Sequence, residues 1–449
     1  MSLSQAITIF LHNLLTSVSP MKLTLTILLL LNVIRDTSAF TAGRTQRILT
    51  HYLDGITGTK LNYAQANAEV FMDKRQRHRV LHHRRAAQRR NSTLGWLKAY
   101  LSGNSIVREQ NLMELSSMMS DKTSDGDSIN NNDEPIMDTE SPINILVMDG
   151  GGMRGYASLA IIKEMSAMLD HDFLDSFDLI GGTSAGGIGS LVASRSENTM
   201  DFLDCGTSIL EELRLGTFSK WCFRRLFSEG VLMKYDERED VFKRNIEARA
   251  TRKGRSRKAF ALAAKWNEST SSVEPFVMRT YDVSKEDGAL PGTHNIPICK
   301  AMAATSACPI AFARTTFTAL DENGNFQHKL CDGGLVSNSP VSIALREAKT
   351  IWPNRPIGTV LSLGLESNKK EDDANQAAID IVNAFQSKRN GGSQVKYARL
   401  VSPASTKMQP AEVCRTKIDN LEAEARKYAR ESEIAMSICS ELRGVKRYV

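Results

Sequence analysis

The sequence has few cysteines and no pattern that would tie them together. Seven cysteines are spread over 449 residues, and no two of them form a C-x-x-C pair. An odd number of widely spaced cysteines is untypical of a disulfide scaffold or a structural zinc site. We therefore expect buried free thiols, and we see no cluster of metal ligands and no motif for another cofactor.

The sequence also lacks an N-terminal hydrophobic run long enough to span a bilayer, which takes about 20 apolar residues. The run over residues 23–34 has 12 residues, follows Lys22 and precedes small residues at 38–39. This layout is typical of a signal peptide, and a signal anchor beginning at Met1 is the alternative. The stretch from Phe40 to Leu53, which has no acidic residue, resembles the bipartite plastid presequences of algae with complex plastids. We expect entry into the secretory route, with a plastid as one destination.

A strong excess of one charge is confined to the N-terminal part. Residues 1–100 carry 14 lysines and arginines against four acidic residues, whereas residues 101–140 carry two against nine. Eight of the basic residues lie within 73–90, with no aromatic residue between them. This composition disfavours nucleic-acid binding and fits an anionic membrane surface, a solvated helix face or a transit segment.

We expect the folded part of the chain to begin at residue 142. The polar, acidic stretch 115–141 is typical of a disordered linker. We thus divide the N-terminal part into a targeting segment, residues 1–40, and a largely disordered region that is first basic and then acidic, residues 41–141.

Strands and helices alternate after this boundary. The apolar run 143–149 is followed by glycines and by helical periodicity over 156–169, and the run 177–183 begins a second unit of strand, turn and helix. This alternation predicts an α/β fold with a mostly parallel central sheet and helices on both faces.

The first glycine cluster, DGGGMRG at 149–155, has two interpretations. Gly150, Gly152 and Gly155 match the G-x-G-x-x-G spacing of a dinucleotide-binding turn. However, Asp149 would repel a pyrophosphate, and the acidic residues at the spacing of a ribose ligand lie in or at the end of a helical run. We therefore interpret the glycines as backbone donors for a tetrahedral oxyanion.

The second cluster contains a candidate nucleophile. Residues 182–186 read G-x-S-x-G and stand where an apolar strand meets a helix. A sharp turn at this place lifts the Ser184 hydroxyl clear of the sheet, as a nucleophile requires. The alternative is that Ser184 only caps the helix and takes no part in catalysis.

A serine nucleophile needs a base, and the sequence offers an aspartate more readily than a histidine. His294 and His328 are the only histidines after Ser184, and neither has a distinctive context. Asp332 precedes two glycines, which would let its carboxylate approach another main-chain turn. A plain aspartate–glycine turn is the competing interpretation.

In this order, DGGGMRG, GTSAG and DGG resemble the motifs of the patatin-like phospholipase family, over roughly residues 142–366. The resemblance implies a three-layer α/β fold, with Ser184 as nucleophile and Asp332 as base of a serine–aspartate dyad. It further implies an oxyanion hole formed by the amides of Gly150, Gly151 and Gly152 beside Arg154. The remaining motif residues are Asp149, Gly155, Gly182, Gly186, Gly333 and Gly334.

The resemblance also implies an activity and a domain plan. Residues 142–346 would be the patatin-like catalytic domain, and residues 347–449 would complete the fold with a helical tail. The expected activity is that of a serine acylhydrolase that cleaves acyl esters of membrane glycerolipids without a metal or cofactor. Asp332, with a reference pKa of about 3.9, would act through its position more than its basicity.

Two other functions stay open at this point. A lipid acyltransferase would use the same dyad, and a catalytically silent protein would only bind lipid. Membrane lipid and a membrane surface are the expected partners, and nucleic acid is not.

Overall fold

A nine-stranded sheet forms the centre of the computed structural model. The structure describes residues 105–120, 141–218, 233, 235–247, 257–267, 272–283, 289–308, 315–321, 324–366, 369–388 and 392–443. The predicted targeting segment, 1–40, and the basic segment, 73–90, lie outside the described residues.

The strands follow one another in a mixed but mostly parallel order. They are β1 (Ile143–Met148), β2 (Leu179–Thr183), β3 (Lys258–Asn267), β4 (Ser272–Arg279), β5 (Gly292–Thr293), β6 (Thr315–Asp321), β7 (Gly324–Asp332), β8 (Ile357–Gly364) and β9 (Lys396–Val401). The spatial order is β5-β4-β3-β2-β1-β8-β9, and β7 pairs with both β3 and β6. β1 is parallel to β2 and β8, and β2 is parallel to β3, whereas β7 runs antiparallel to β3.

Helices cover both faces of this sheet. They are α1 (Ser105–Ser120), α2 (Gly155–Ala167), α3 (Ala185–Ala193), α4 (Thr199–Phe218), α5 (Tyr235–Glu247), α6 (Ile298–Thr305), α7 (Val341–Ile351), α8 (Lys369–Lys388), α9 (Pro403–Lys407), α10 (Arg415–Glu431) and α11 (Glu433–Leu442). None of the helices in the described part of the chain is long and apolar enough to cross a membrane.

The central strand β1 shows why three layers form. Its side chains alternate between the two faces, because successive residues of a strand point in opposite directions. Leu146 and Met148 join the apolar cluster packed by α2, α3, α4, α10 and α11. Ile145 and Val147 join a second cluster, packed by α1, α7 and α8. The predicted α/β fold with a mostly parallel sheet between two helical layers is confirmed.

Helix α1 differs from the expectation for its region. The linker prediction for 115–141 is wrong for residues 115–120, which belong to this helix. Leu115 and Met119 are buried against α7 and α8, and Leu112 is partly buried with them. Their spacing puts them on one face of the helix, which packs against α7 and α8.

The C-terminal helical tail packs against α2 and contains a break. Ile418, Leu421 and Ala425 of α10 are fully or nearly buried. Ser432 has an extended backbone, and its side chain accepts a hydrogen bond from the Ala435 amide. This cap ends α10 and begins α11, because a serine side chain satisfies an amide that has no partner inside the new helix.

The six cysteines within the described ranges are free thiols, as expected. Cys205, Cys331 and Cys439 are buried, but Cys414 is exposed. Burial is therefore confirmed for only part of the set.

Candidate active site

Ser184 stands on a strained turn between β2 and α3. Its φ of 54° is the only positive value of a non-glycine residue in the described part of the chain. A serine in this conformation is costly, and such strain is concentrated at functional positions. The turn also needs the flanking glycines: a Cβ on Gly182 would lie 2.1 Å from the Gly186 carbonyl oxygen.

The Ser184 backbone is held in place by Thr305 at the end of α6. The Ser184 amide donates to Thr305 Oγ1 at 2.9 Å, and this hydroxyl donates to the Leu262 carbonyl of β3 at 2.6 Å. Thr305 is fully buried. It was not singled out by the sequence motifs, because a lone threonine in a helical segment carries no signal.

Asp332 reaches Ser184 through β3. Leu262 of β3 pairs with Thr183, and Ala263 pairs with Asp332, so that the ends of β2 and β7 lie side by side. The Ser184 hydroxyl donates to Asp332 Oδ2 at 2.8 Å. The other carboxylate oxygen, Oδ1, accepts the Gly334 amide at 2.8 Å, while Gly333 lies against the Leu262 carbonyl.

Burial raises the pKa of Asp332 to about 6, because a carboxylate loses hydration in this site. The Gly334 amide, the Ser184 hydroxyl and the positive charge of Arg238 act in the opposite direction. Asp332 is thus still mostly ionised at neutral pH, but it is a stronger base than its reference pKa implied.

The glycine strip lies between β1 and α2 and forms a 3-10 turn over Gly152–Arg154. Gly152 has a φ of +58°, and a Cβ there would lie 2.3 Å from the Pro410 carbonyl oxygen. The Gly150 amide donates to the Asn338 carbonyl at 3.0 Å. Among the described residues we find no hydrogen-bond partner for the amides of Gly151 and Gly152; Gly151 is buried and Gly152 is partly exposed.

Arg154 supports the strip. Its side chain is 7% exposed and donates to the carbonyls of Gly151 at 3.4 Å and Leu365 at 3.3 Å. It also forms an ion pair with Glu366. The guanidinium is therefore engaged with the main chain of the turn. The next residue, Gly155, already begins α2 with ordinary helical angles.

Asp149, at the start of the motif, is paired with a residue that the motifs do not include. Arg399 of β9 donates to both carboxylate oxygens of Asp149, at 3.2 and 2.7 Å. Burial raises the pKa of Asp149, and the charge of Arg399 counteracts this rise. The lone arginine in the sequence KYARLV has no motif around it, so only the position of β9 in the sheet reveals the contact.

No described histidine side chain contacts the Ser184 hydroxyl. His294 Nδ1 lies 3.1 Å from a carboxylate oxygen of Asp282, and the side chain of His328 is outside the described residues. His171 does connect a carboxylate, Asp170, to a serine hydroxyl, Ser176, with both distances 2.8 Å. Ser176 is completely buried, however, and could not meet a substrate.

The described residues contain no group of three or more histidine, cysteine or acidic side chains that could hold a metal ion. The site instead combines a hydroxyl, a carboxylate that can take its proton, and two unpaired amides of one turn. This combination is suited to nucleophilic attack on a carbonyl group.

Comparisons with known proteins agree with the motifs. Residues 146–345 match the model of the patatin family, described as patatin-like phospholipase. The chain is 25% identical over 333 residues to rabbit (Oryctolagus cuniculus) calcium-independent phospholipase A2-gamma, covering 66% of this chain and 39% of the relative. The human protein of that name is 28% identical over 246 residues, covering 49% and 28%.

A relative from Plasmodium falciparum, patatin-like phospholipase 1, is 25% identical over 252 residues, covering 52% of this chain and 35% of the relative. The chain thus spans less than half the length of these relatives. The residues that match the family model, 146–345, include the three motifs, and the resemblance drawn from them is confirmed.

Proposed function

We propose that this chain, whose residues 146–345 are a patatin-like phospholipase domain, is a serine acylhydrolase that cleaves fatty acyl esters of membrane glycerolipids. The hydrogen bond of 2.8 Å between the Ser184 hydroxyl and Asp332 Oδ2 carries the proposal. It joins a strained serine to a carboxylate whose pKa is raised to about 6. The raised pKa favours transfer of the hydroxyl proton to Asp332, and the strained turn holds the hydroxyl clear of the sheet.

In the first step the Ser184 oxygen attacks the ester carbonyl while Asp332 takes its proton. The carbonyl oxygen becomes an oxyanion that accepts hydrogen bonds from the amides of Gly151 and Gly152. Asp332 then gives the proton to the leaving alcohol, and an acyl group stays on Ser184. Water attacks this acyl group while Asp332 takes its proton. The bond between the acyl carbon and the Ser184 oxygen then breaks, Asp332 returns the proton to that oxygen, and the free fatty acid leaves.

The remaining groups keep these parts in place. Arg154 binds the carbonyl of Gly151, and Thr305 binds the Ser184 amide. The Gly150 amide is engaged by Asn338, so it fixes the strip instead of donating to the oxyanion.

Phospholipid vesicles provide the test. The full chain should release fatty acid and lysophospholipid from phosphatidylcholine vesicles, and Ser184→Ala should abolish both products. Adding an alcohol acceptor separates the second candidate function: a transacylase would form a new ester at the expense of free fatty acid. Vesicle binding by a folded wild-type protein without either product would favour the silent lipid-binding alternative.

The proposal includes a membrane surface and a route of targeting. The basic segment 73–90 would dock on anionic lipid, and residues 1–40 would direct the chain into the secretory route, with a plastid as one destination. A protein starting at residue 101 retains α1, and its activity on anionic and neutral vesicles can be compared with that of the full chain. If the two proteins were equally active on both kinds of vesicle, docking by segment 73–90 would be contradicted. A fluorescent fusion would test the destination of the chain.

A further inference from the structure

We propose that Arg399 is a positioning residue that holds the turn of the oxyanion amides against the loop that follows Asp332. This inference rests on the proposed function, since it assigns a task to Arg399 in the same reaction. Arg399 lies beyond the residues that match the family model, which end at 345.

The first contact fixes the start of the glycine strip. The guanidinium binds Asp149 through two parallel hydrogen bonds, and both side chains are withdrawn from water, with 9% and 0% exposure. A two-point contact of this kind fixes orientation as well as distance. Asp149 directly precedes Gly150, so its position determines where the strip begins.

The second contact reaches the loop after the base. The same guanidinium donates to Ser339 Oγ at 3.2 Å and to Ser362 Oγ of β8 at 2.8 Å. Ser339 is further held by Glu371 and Asn375 of α8. Arg399 therefore joins the end of β1 to the loop between β7 and α7.

This loop contacts both halves of the site. The Asn338 carbonyl accepts the Gly150 amide, and the Ser337 carbonyl accepts the hydroxyl of Thr183, the residue before the nucleophile. A shift of Ser339 would thus be passed to the oxyanion strip on one side and to the turn of Ser184 on the other.

The sheet leaves room for this arginine. A Cβ on Gly364 of β8 would lie 2.8 Å from Arg399 Cζ and 2.9 Å from one of its terminal nitrogens. Two further groups contact the guanidinium: Asp372 lies in ion-pair contact with Nε at 2.8 Å, without hydrogen-bond geometry, and the Glu366 carbonyl accepts a hydrogen bond at 3.3 Å. The site is built around the cation, although a buried ion pair is a weak source of stability compared with apolar packing.

The test separates positioning from folding. Arg399→Met alone leaves Asp149 charged and unpaired, so Asp149→Asn/Arg399→Met is the main variant, and Arg399→Lys keeps the charge without the planar fork. The control is Arg279→Met/Glu347→Gln, which removes a comparably buried two-point ion pair between β4 and α7. For each protein, kcat and KM on a soluble p-nitrophenyl ester and Tm are measured.

We expect the paired Asp149/Arg399 variant to fold and to lose about 100-fold in kcat, with KM changed by no more than about twofold, because only the alignment of reacting groups is lost. Arg399→Lys should lie between this variant and wild type. The Arg279/Glu347 control should lower Tm and leave kcat within about twofold of wild type.

Several results would overturn the inference. A folded Asp149→Asn/Arg399→Met variant with the kcat of wild type would overturn it. A loss of kcat in the Arg279→Met/Glu347→Gln control as large as that in the Asp149/Arg399 variant would also overturn it. Failure of both the paired and the lysine variants to fold would make Arg399 a structural residue only. A wild-type chain without Ser184-dependent turnover would instead refute the proposed function and the inference with it, so the two failures are distinguishable.

Discussion

The Ser184 hydroxyl and the Asp332 carboxylate are in hydrogen-bond contact although 148 positions of sequence separate them. The contact depends on β3, which is parallel to β2 and antiparallel to β7. The C-terminal ends of β2 and β7, which run in opposite directions, therefore meet beside β3. Because this place excludes much of the water around Asp332, the same packing that creates the contact also raises the pKa of the carboxyl group.

The raised pKa of Asp332 predicts a specific pH dependence. The base must be deprotonated, so kcat/KM should be constant above about pH 7 and fall towards tenfold per pH unit below the pKa of about 6. The measurement is a profile on a soluble ester from pH 4.5 to 8, with Tm recorded over the same range to exclude acid unfolding. Activity that stays constant down to pH 5 would contradict this role for Asp332.

The same pKa shift predicts that an inactive variant is more stable. Burying the Asp332 carboxylate costs folding energy above pH 6, whereas below the reference pKa of 3.8 the group is protonated in both the folded and the unfolded chain. Asp332→Asn should therefore raise the free energy of unfolding by up to about 3 kcal/mol at pH 7.5. The gain should shrink between pH 6 and about pH 4, and urea unfolding at several pH values measures it. If Asp332→Asn were less stable than wild type at pH 7.5, the raised pKa of Asp332 would be contradicted.

The glycine strip predicts a contrast between two neighbouring substitutions. Gly152→Ala would force a side chain into a backbone with φ of +58° and against the Pro410 carbonyl, which would move an oxyanion donor. Loss of one such donor costs about 100-fold in kcat. Gly155→Ala is the control, because its Cβ would meet only ordinary contacts, the nearest being Ala185 Cβ at 3.5 Å. Equal activity of the two variants on a soluble ester would argue against the strip as the oxyanion site.

The sequence was sufficient for the parts of the fold that repeat a local pattern. The apolar runs of β1 and β2 and the glycines after them predicted two strand–turn–helix units, and these units position Asp149 and Ser184. β3 was not recognised, because its sequence KAFALAAKWN has no glycine turn after it and alternates weakly. Its importance comes from its three neighbours in the sheet, which no local pattern encodes.

The site residues also fall into two groups: those that sequence motifs reveal and those that only the structure reveals. Ser184 and Asp332 stand in glycine-rich motifs whose spacing reflects tight turns, so they could be named from the sequence. Arg399 and Thr305 act through contacts with residues far away along the chain, and nothing next to them marks that role. The sequence also could not show that the Gly150 amide is already engaged, because its acceptor is a main-chain carbonyl of a distant loop.

The central claim is an activated serine paired with an aspartate, and labelling with a fluorophosphonate probe tests it most directly. The full-length wild type would be compared with Ser184→Ala and Asp332→Asn, each verified as folded by circular dichroism. We expect rapid labelling of wild type, none of Ser184→Ala and strongly reduced labelling of Asp332→Asn. Equal labelling of wild type and Asp332→Asn would contradict the dyad and direct attention to His294 and His328, and no labelling of a folded wild type would contradict the account as a whole.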